Sequence, residues 1–194
     1  MQESEPRVNQ LRIIAGKWRG RKISFPDQEG LRPSPDRVRE TLFNWLQADI
    51  VGAHCLDLFA GSGALAIEAA SRGAKQVSCV ELNPEIAASI KKNIALLQAD
   101  AISLIQRDAV KFLKTAQSEH RYELVFLDPP FNENLLEESC ELLENNAWLA
   151  DSALIYLESD QALEKYTFPS NWALIKQKKA GQVYYGLCQR FTLN

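Results

Sequence analysis

No apolar run in this 194-residue chain is long enough to cross a bilayer, and no leader with a basic start and an apolar middle opens it. A membrane-spanning protein is therefore not expected, and a cytoplasmic one is. The four cysteines, Cys55, Cys79, Cys140 and Cys188, have no short metal-ligand spacing. They read as small core residues of a reducing compartment, and no metal is expected. Only two histidines occur, His54 and His120. Both fall at loop edges and are assigned no chemistry. Internal repeats and low-complexity segments are also missing, which removes solenoids and long linkers from consideration.

What is present is a chain with 46% apolar residues, enough for one domain with a sizeable core. The net charge of -3 is unevenly spread. Between Arg7 and Arg39 there are nine Lys/Arg against three acids, while the part from Glu40 onward carries a net -7. A basic head on an acidic body points to a polyanionic partner, or else to a solvated charged face.

The centre of the pattern is Leu56 to Ala66, LDLFAGSGALA. An apolar run closes on Asp57-Leu58-Phe59-Ala60, the turn Gly61-Ser62-Gly63 follows, and a helix-forming segment begins at Ala64. Strand, glycine turn and helix in that order hold a dinucleotide or another adenosine-containing cofactor at the carboxyl end of a parallel strand. From there strands are predicted at 55–60, 76–82, 102–107, 122–127 and 153–158, with helices at 64–72, 84–97, 109–116 and 135–149 between them. The alternation predicts a doubly wound, Rossmann-like α/β fold with a mostly parallel sheet. Runs at 172–178 and 183–191, with no helix between them, predict a closing antiparallel hairpin, for seven strands in all. Ahead of this lies LRIIAGKWRGRKI, residues 11–23, which predicts a separate β-hairpin whose tip, Lys17 to Lys22, surrounds an exposed Trp18 with bases. Bases around an indole suit RNA or DNA, although Trp18 could instead cover the edge of the main domain. Ser34-Pro35 reads as the cap and first residue of a helix that buries Val38, Leu42, Trp45 and Leu46, with Trp45 placed in the core.

Asp57, Glu81, Asp108 and Asp128 all fall at or just past the carboxyl ends of predicted strands, where ligands bind in such sheets. Glu81 lies 20 positions after Gly61, a spacing suited to an acid that grips ribose hydroxyls. Asp108, with Ala109, could reach an adenine amine, and Asp57 could receive an ammonium group or order the loop. For any one of them a helix cap or a loop ion pair is the alternative. The sharper signal is Asp128-Pro129-Pro130-Phe131 directly after an apolar strand. Two prolines remove two N–H donors and stiffen the chain, leaving a carboxylate, carbonyl oxygens and an aromatic ring. That set suits a planar amine held by its hydrogens and by its face.

The Asp57–Gly63 and Asp128–Phe131 segments resemble the class I S-adenosylmethionine-dependent amino-methyltransferases. Residues Arg12 to Arg21, then Arg32-Pro33-Ser34 and Asp36 through Leu46, and later Ala180 to Tyr184, resemble more narrowly the bacterial 16S rRNA guanine-N2 methyltransferases that modify guanine 966. Ser34 departs from the threonine expected there, and Ala15 from a common glycine. The resemblance implies a basic N-terminal hairpin extension over residues 1–33 for RNA docking and a methyltransferase domain over 34–194. It implies S-adenosyl-L-methionine as cofactor, with Asp57, Ala60, Gly61, Ser62 and Gly63 framing its methionine part, Glu81 and Leu82 on the ribose and adenine, and Asp108, Ala109 and Asp128 completing the site. Asp128, Pro129, Pro130 and Phe131 would hold the target guanine. The helix holding Arg39, Thr41 and Asn44 would close over the cofactor. Arg12, Lys17, Trp18, Arg19, Arg21, Lys22, Arg32 and Arg37 would contact 16S rRNA, in a small ribosomal subunit or its late assembly intermediate, with the protein acting as a monomer. The alternatives are an adenine-N6 DNA or protein-glutamine methyltransferase of the same fold, a nicotinamide-dependent oxidoreductase, and a non-catalytic assembly factor.

Overall fold

The computed structural model describes residues 8–28, 31, 34–115, 120–130 and 135–192. Two short antiparallel strands, β1 (Val8–Arg12) and β2 (Lys22–Pro26), form the N-terminal hairpin, with Leu11 opposite Ile23. Helix α1 (Asp36–Trp45) follows. The alternation then runs β3 (His54–Asp57), α2 (Ala64–Ser71), β4 (Gln76–Glu81), α3 (Pro84–Leu97), β5 (Ile102–Gln106), α4 (Ala109–Leu113), β6 (Tyr122–Leu127), α5 (Leu135–Asn145) and β7 (Leu149–Ser159). Strands β8 (Trp172–Ala180) and β9 (Val183–Arg190) close the chain as the expected antiparallel hairpin around Gly181.

The seven-stranded sheet has the order β5-β4-β3-β6-β7-β9-β8. Strands β3 to β7 pair in parallel, and β9 is antiparallel to both β7 and β8. The strands are apolar on both faces because both faces are covered. Cys55, Val77, Cys79, Leu124, Phe126 and Tyr156 pack on one side with Leu42, Phe43, Ile67 and Ile90 of α1, α2 and α3. Their immediate neighbours Leu56, Val80, Val125, Leu127 and Ile155 pack on the other with Phe112, Leu113, Leu136 and Cys140 of α4 and α5. All four cysteines are free and buried. Among the described residues, no helix is long and apolar enough to cross a membrane, and no cluster of His, Cys, Asp and Glu could hold a metal.

The chain steps outward from β3 to β5, then returns to place β6 on the other flank of β3. The carboxyl ends of β3 and β6 therefore diverge at a topological switch, the crevice where such sheets take ligands. Two boundaries depart from expectation at the far side. α5 stops at Asn145 rather than 149, because Ala147 takes φ 56° and Trp148 turns its indole N–H to Leu113 O, packed against Phe112 and Tyr122. β7 then starts early, at Leu149, which pairs with Tyr122 across a register break before Leu124.

The N-terminal hairpin is stapled to the main sheet's helices rather than projecting from them. Asn93 of α3 bonds both backbone polar groups of Ser24 in β2, accepting its N–H at 3.2 Å and donating to its carbonyl at 2.8 Å. The connecting loop lies on α2. Lys17 N–H donates to Ser71 O at 2.7 Å and Trp18 N–H to Ser71 Oγ at 3.0 Å. Gly16, at φ 81°, is obligatory there, since a Cβ would fall 1.9 Å from Ser71 O. Glu68 of α2, fully buried, accepts the N–H groups of Ile14 and Ala15 at 2.8 and 3.0 Å.

Candidate active site

Where β3 ends, Asp57 is 2% exposed and its Oδ2 accepts the Ala66 N–H at 3.0 Å, tying the first turn of α2 back to the strand. Between them the chain turns through Gly61 and Gly63, both at positive φ (50° and 76°). A Cβ on Gly61 would press within 3.1 Å of Leu31, so the turn stays narrow only with glycine. Glu81, closing β4, accepts the Gly61 N–H at 2.9 Å through one oxygen and the Asn83 N–H at 2.7 Å through the other. The Leu82 N–H also faces this carboxylate, which keeps acceptor capacity for a further donor. Asp108 caps α4 by accepting the Lys111 N–H at 2.7 Å.

At the end of β6, Asp128 is followed by Pro129, which is buried, and Pro130, which is exposed. Phe131 lies outside the described residues, as does Arg32. Ser34 brings its hydroxyl to 3.4 Å from Asp128 Oδ2 and 2.5 Å from Glu158 Oε1, and Tyr156 places its hydroxyl 2.6 Å from the same Glu158 oxygen. This corrects the expectation for Ser34. Helix α1 is preceded by Pro35 with no side-chain cap, and the Ser34 hydroxyl lies between two carboxyl groups on the sheet instead.

These pieces border one cavity of about 650 Å³ across the β3/β6 switch, within the range of small-molecule and cofactor sites. Asp57, Ala60, Gly61, Ser62, Glu81, Leu82, Asp108, Ala109, Asp128, Pro129 and Pro130 all line it. Gly63 does not, being turned toward Ile90. Three wall residues come from the segment before α1, which sequence reasoning passed over: Gln28, Leu31 and Ser34. Among the described residues of that segment, these three border the cavity, and the α1 residues expected to close over it do not. Arg39 is 1% exposed and bonded to Asp36 Oδ1 at 2.7 Å and Arg12 O at 2.9 Å; Thr41 bonds Arg37 O; Asn44 is exposed, and none borders the cavity. Glu158 was also missed. It continues the rule that found the other acids, a carboxylate at the end of a parallel strand.

The electrostatics are one-sided. Burial pushes Asp57 up to about 7, with the Ala66 N–H opposing the shift and Glu81 adding to it. Burial also raises Glu81, against the N–H groups of Asn83 and Gly61. Asp128 is raised well above the usual carboxylate range by desolvation and by its neighbours Glu158 and Asp57, and Glu158 is raised by burial. Among the described lining residues Arg107 is the one Lys or Arg. A wall of carboxylates, buried at Asp57 and half-buried at Glu81, Asp108 and Asp128, with so little positive charge favours a cationic ligand over an anionic one.

The expected basic surface is present in part. Arg12, Lys17, Arg19, Arg21, Lys22 and Arg37 are exposed. Trp18 corrects the prediction of an exposed indole: it is 6% exposed and joins the main core. Trp45 departs the other way, half-buried and stacked on Tyr185 at 5.6 Å, with Lys176 and Lys178 about its ring.

Residues 11–189 match the family model described as "Conserved hypothetical protein 95". The chain is 52% identical to ribosomal RNA small subunit methyltransferase D of Escherichia coli K12 over 93% of its own length and 90% of that protein. It is 47% identical to the Haemophilus influenzae protein of the same name, over 93% and 94%. Among solved structures, a putative methyltransferase from Escherichia coli superimposes with a TM-score of 0.86 at 48% identity, over 94% of this chain and 99% of that one. The chain belongs to this family.

Proposed function

We propose that this family member transfers a methyl group from S-adenosylmethionine to the exocyclic N2 amine of a guanine in 16S rRNA, guanine 966 in the family's usual target, within the small subunit or its late assembly intermediate. The observation that carries the reading is the juxtaposition across one switch crevice of a glycine turn held by Glu81 and an Asp128-Pro129-Pro130 strand end. The names of relatives matched over nearly their whole length support the substrate class.

The cavity fits the cofactor. Its acids meet a ligand that carries a sulfonium and an ammonium, its glycine turn leaves room for close approach, and Glu81 retains acceptor capacity for a vicinal diol. Asp57, Gly61 and Ser62 would hold the amino-acid end, Glu81 and Leu82 the ribose and the base edge, and Asp108 and Ala109 the adenine. When bound, S-adenosylmethionine supplies an already activated methyl group, so the chain's task is positioning. Asp128 accepts one hydrogen of the guanine amine and fixes the nitrogen's direction. The prolines that follow add no competing donors and keep the strip rigid. The guanine must leave its stack to reach this site. Arg12, Lys17, Arg19, Arg21, Lys22 and Arg37 engage the phosphate backbone, and buried Trp18 supports the loop that presents them.

The test is methyl transfer by the purified protein to unmodified small subunits, free 16S rRNA, duplex DNA and a glutamine-bearing protein substrate. Methylguanine formed in the small subunit is expected. Methyladenine in DNA or methylglutamine in protein would overturn the reading. An oxidoreductase reading leaves the Asp128-Pro129-Pro130 strand end without a task.

A further inference from the structure

Ser34 brings one hydroxyl within reach of two carboxyl groups. Its Oγ is 2.5 Å from Glu158 Oε1 and 3.4 Å from Asp128 Oδ2, while the Tyr156 hydroxyl meets the same Glu158 oxygen at 2.6 Å. Tyr156 is fully buried, Glu158 is 2% exposed and Ser34 9%. Among the described residues, the ionisable groups facing Glu158 are Tyr156 on its own strand, Tyr185 opposite it on β9 and Asp128 at the end of β6, with Asp57 of β3 beyond. None is a cation.

A hydroxyl has one proton and serves one acceptor at a time. If Asp128 and Glu158 were both ionised, the Ser34 proton would go to Glu158 at 2.5 Å, Asp128 would face the Ser34 lone pairs, and two like charges would share a partly buried site. A single proton between them removes both penalties. It completes the chain in either of two orders: Asp128 donates to Ser34 and Ser34 to Glu158, or Glu158 donates to Ser34 and Ser34 to Asp128.

We propose that Asp128, Ser34 and Glu158 hold one shared proton, and that Glu158 is the positioning residue that takes it, through Ser34, when a base amine docks on Asp128. The inference rests on the role given to Asp128 above. Two hydroxyls converge on Glu158 Oε1, the arrangement of an ionised acceptor, so the proton's resting place is Asp128. A docking amine donates a hydrogen and needs Asp128 ionised. Asp128 gives its proton to Ser34 Oγ, and Ser34 passes its own to Glu158. Methyl transfer makes the base nitrogen cationic, its surplus proton goes to the Asp128 carboxylate, and the doubly protonated pair returns one proton to solvent as product leaves. The active form is the singly protonated pair, so kcat against pH is bell-shaped, and the two limbs belong to the pair rather than to either residue.

The experiment uses the full chain with S-adenosylmethionine and unmodified small subunits, from about pH 5.5 to about pH 10. Glu158→Gln can donate to Ser34 but does not titrate, so the acid limb stays and the alkaline limb disappears. Ser34→Ala interrupts the chain and lowers kcat by about 10–100-fold, with cofactor KM moved less than about 3-fold. Ser34→Thr retains the hydroxyl and restores kcat. An alkaline limb that survives in Glu158→Gln, or wild-type kcat in Ser34→Ala, would overturn the proposal. A second readout needs no turnover: in carbon-13 carboxyl spectra of the free protein, Asp128 and Glu158 should titrate as a coupled pair in two steps, with one step gone in Glu158→Gln. If the wild-type protein methylates no small subunit, the functional reading fails, and these spectra still decide the shared proton, since two carboxyls titrating independently would overturn it.

Discussion

Glu68, on helix α2, holds the N-terminal loop, and Asp57, at the end of β3, holds helix α2; both are buried, yet the protein treats them in opposite ways. Glu68 accepts two backbone N–H groups, binds Arg72 Nε at 2.7 Å and has Arg39 at 3.7 Å. Asp57 has one backbone N–H, and the groups that shift it include another acid. Glu144 repeats the first pattern at the other end of the sheet, where Arg190 grips it with two nitrogens and holds its carboxyl down to about 2. A carboxylate surrounded by donors, buried like Glu68 or half-buried like Glu144, belongs to the architecture, here the docking of the N-terminal loop and of β9. One that is buried and short of donors is held ready for a ligand that brings the missing positive charge.

The contrast can be broken most severely at Asp128. Asp128→Ala should lower methyl transfer by on the order of 10³-fold or more while cofactor affinity, read by calorimetry, moves less than about 3-fold. Comparable turnover in the variant would remove Asp128 from the chemistry. Next in size is Glu68→Ala, which strands Arg39 without its buried partner and frees the loop at Ile14 and Ala15. A loss of about 3–5 kcal/mol in urea unfolding is expected. An unchanged midpoint would mean that the loop is held by other contacts.

Asp57 tests the other half of the comparison through pH. Its carboxyl titrates near 3.8 when unfolded and about 7 when folded, so the native state holds the proton more tightly. The stabilisation is full below the lower value and is lost as pH rises through the higher one. Asp57→Asn keeps an acceptor for the Ala66 N–H. It should raise the melting temperature of the free protein at about pH 8 relative to wild type while weakening cofactor binding, a trade of function for stability. A variant that melts lower at that pH would contradict the strained-acid account. Glu144 should give the opposite slope, its contribution present above its ordinary range and lost as pH falls toward about 2. The smallest effect belongs to the hairpin. Alanine at Lys17, Arg19 or Lys22 should each flatten the salt dependence of small-subunit binding by about one unit of log–log slope, and a change in cofactor affinity instead would displace the hairpin from RNA docking.

Much of this was legible in the chain. The parallel strands are continuous apolar runs closed by acids, and the glycine turn and the paired prolines are local signals that need no tertiary information. Long-range pairing left no such trace. Ser34 looks like a helix cap because its true partners, Asp128 and Glu158, lie 94 and 124 positions away. Trp18 reads as exposed amid bases because its burial depends on Ser71 and on the space Gly16 leaves beside it. Arg39 looks available to close over a cofactor until Glu68, on another helix, is placed against it. Glu158 ends an apolar run and reads as a strand boundary, though it obeys the same positional rule as the other four acids.

The central claim is that Asp128 presents a guanine amine of the small subunit to a methyl donor seated on the β3 side of the same crevice. Mass mapping of 16S rRNA from cells lacking this protein, with the wild-type or the Asp128→Ala chain restored, tests it most directly. One N2-methylguanine should be missing, returned by the wild type and not by the variant. An rRNA methylation pattern unchanged by loss of the protein, or restored equally by Asp128→Ala, would contradict it.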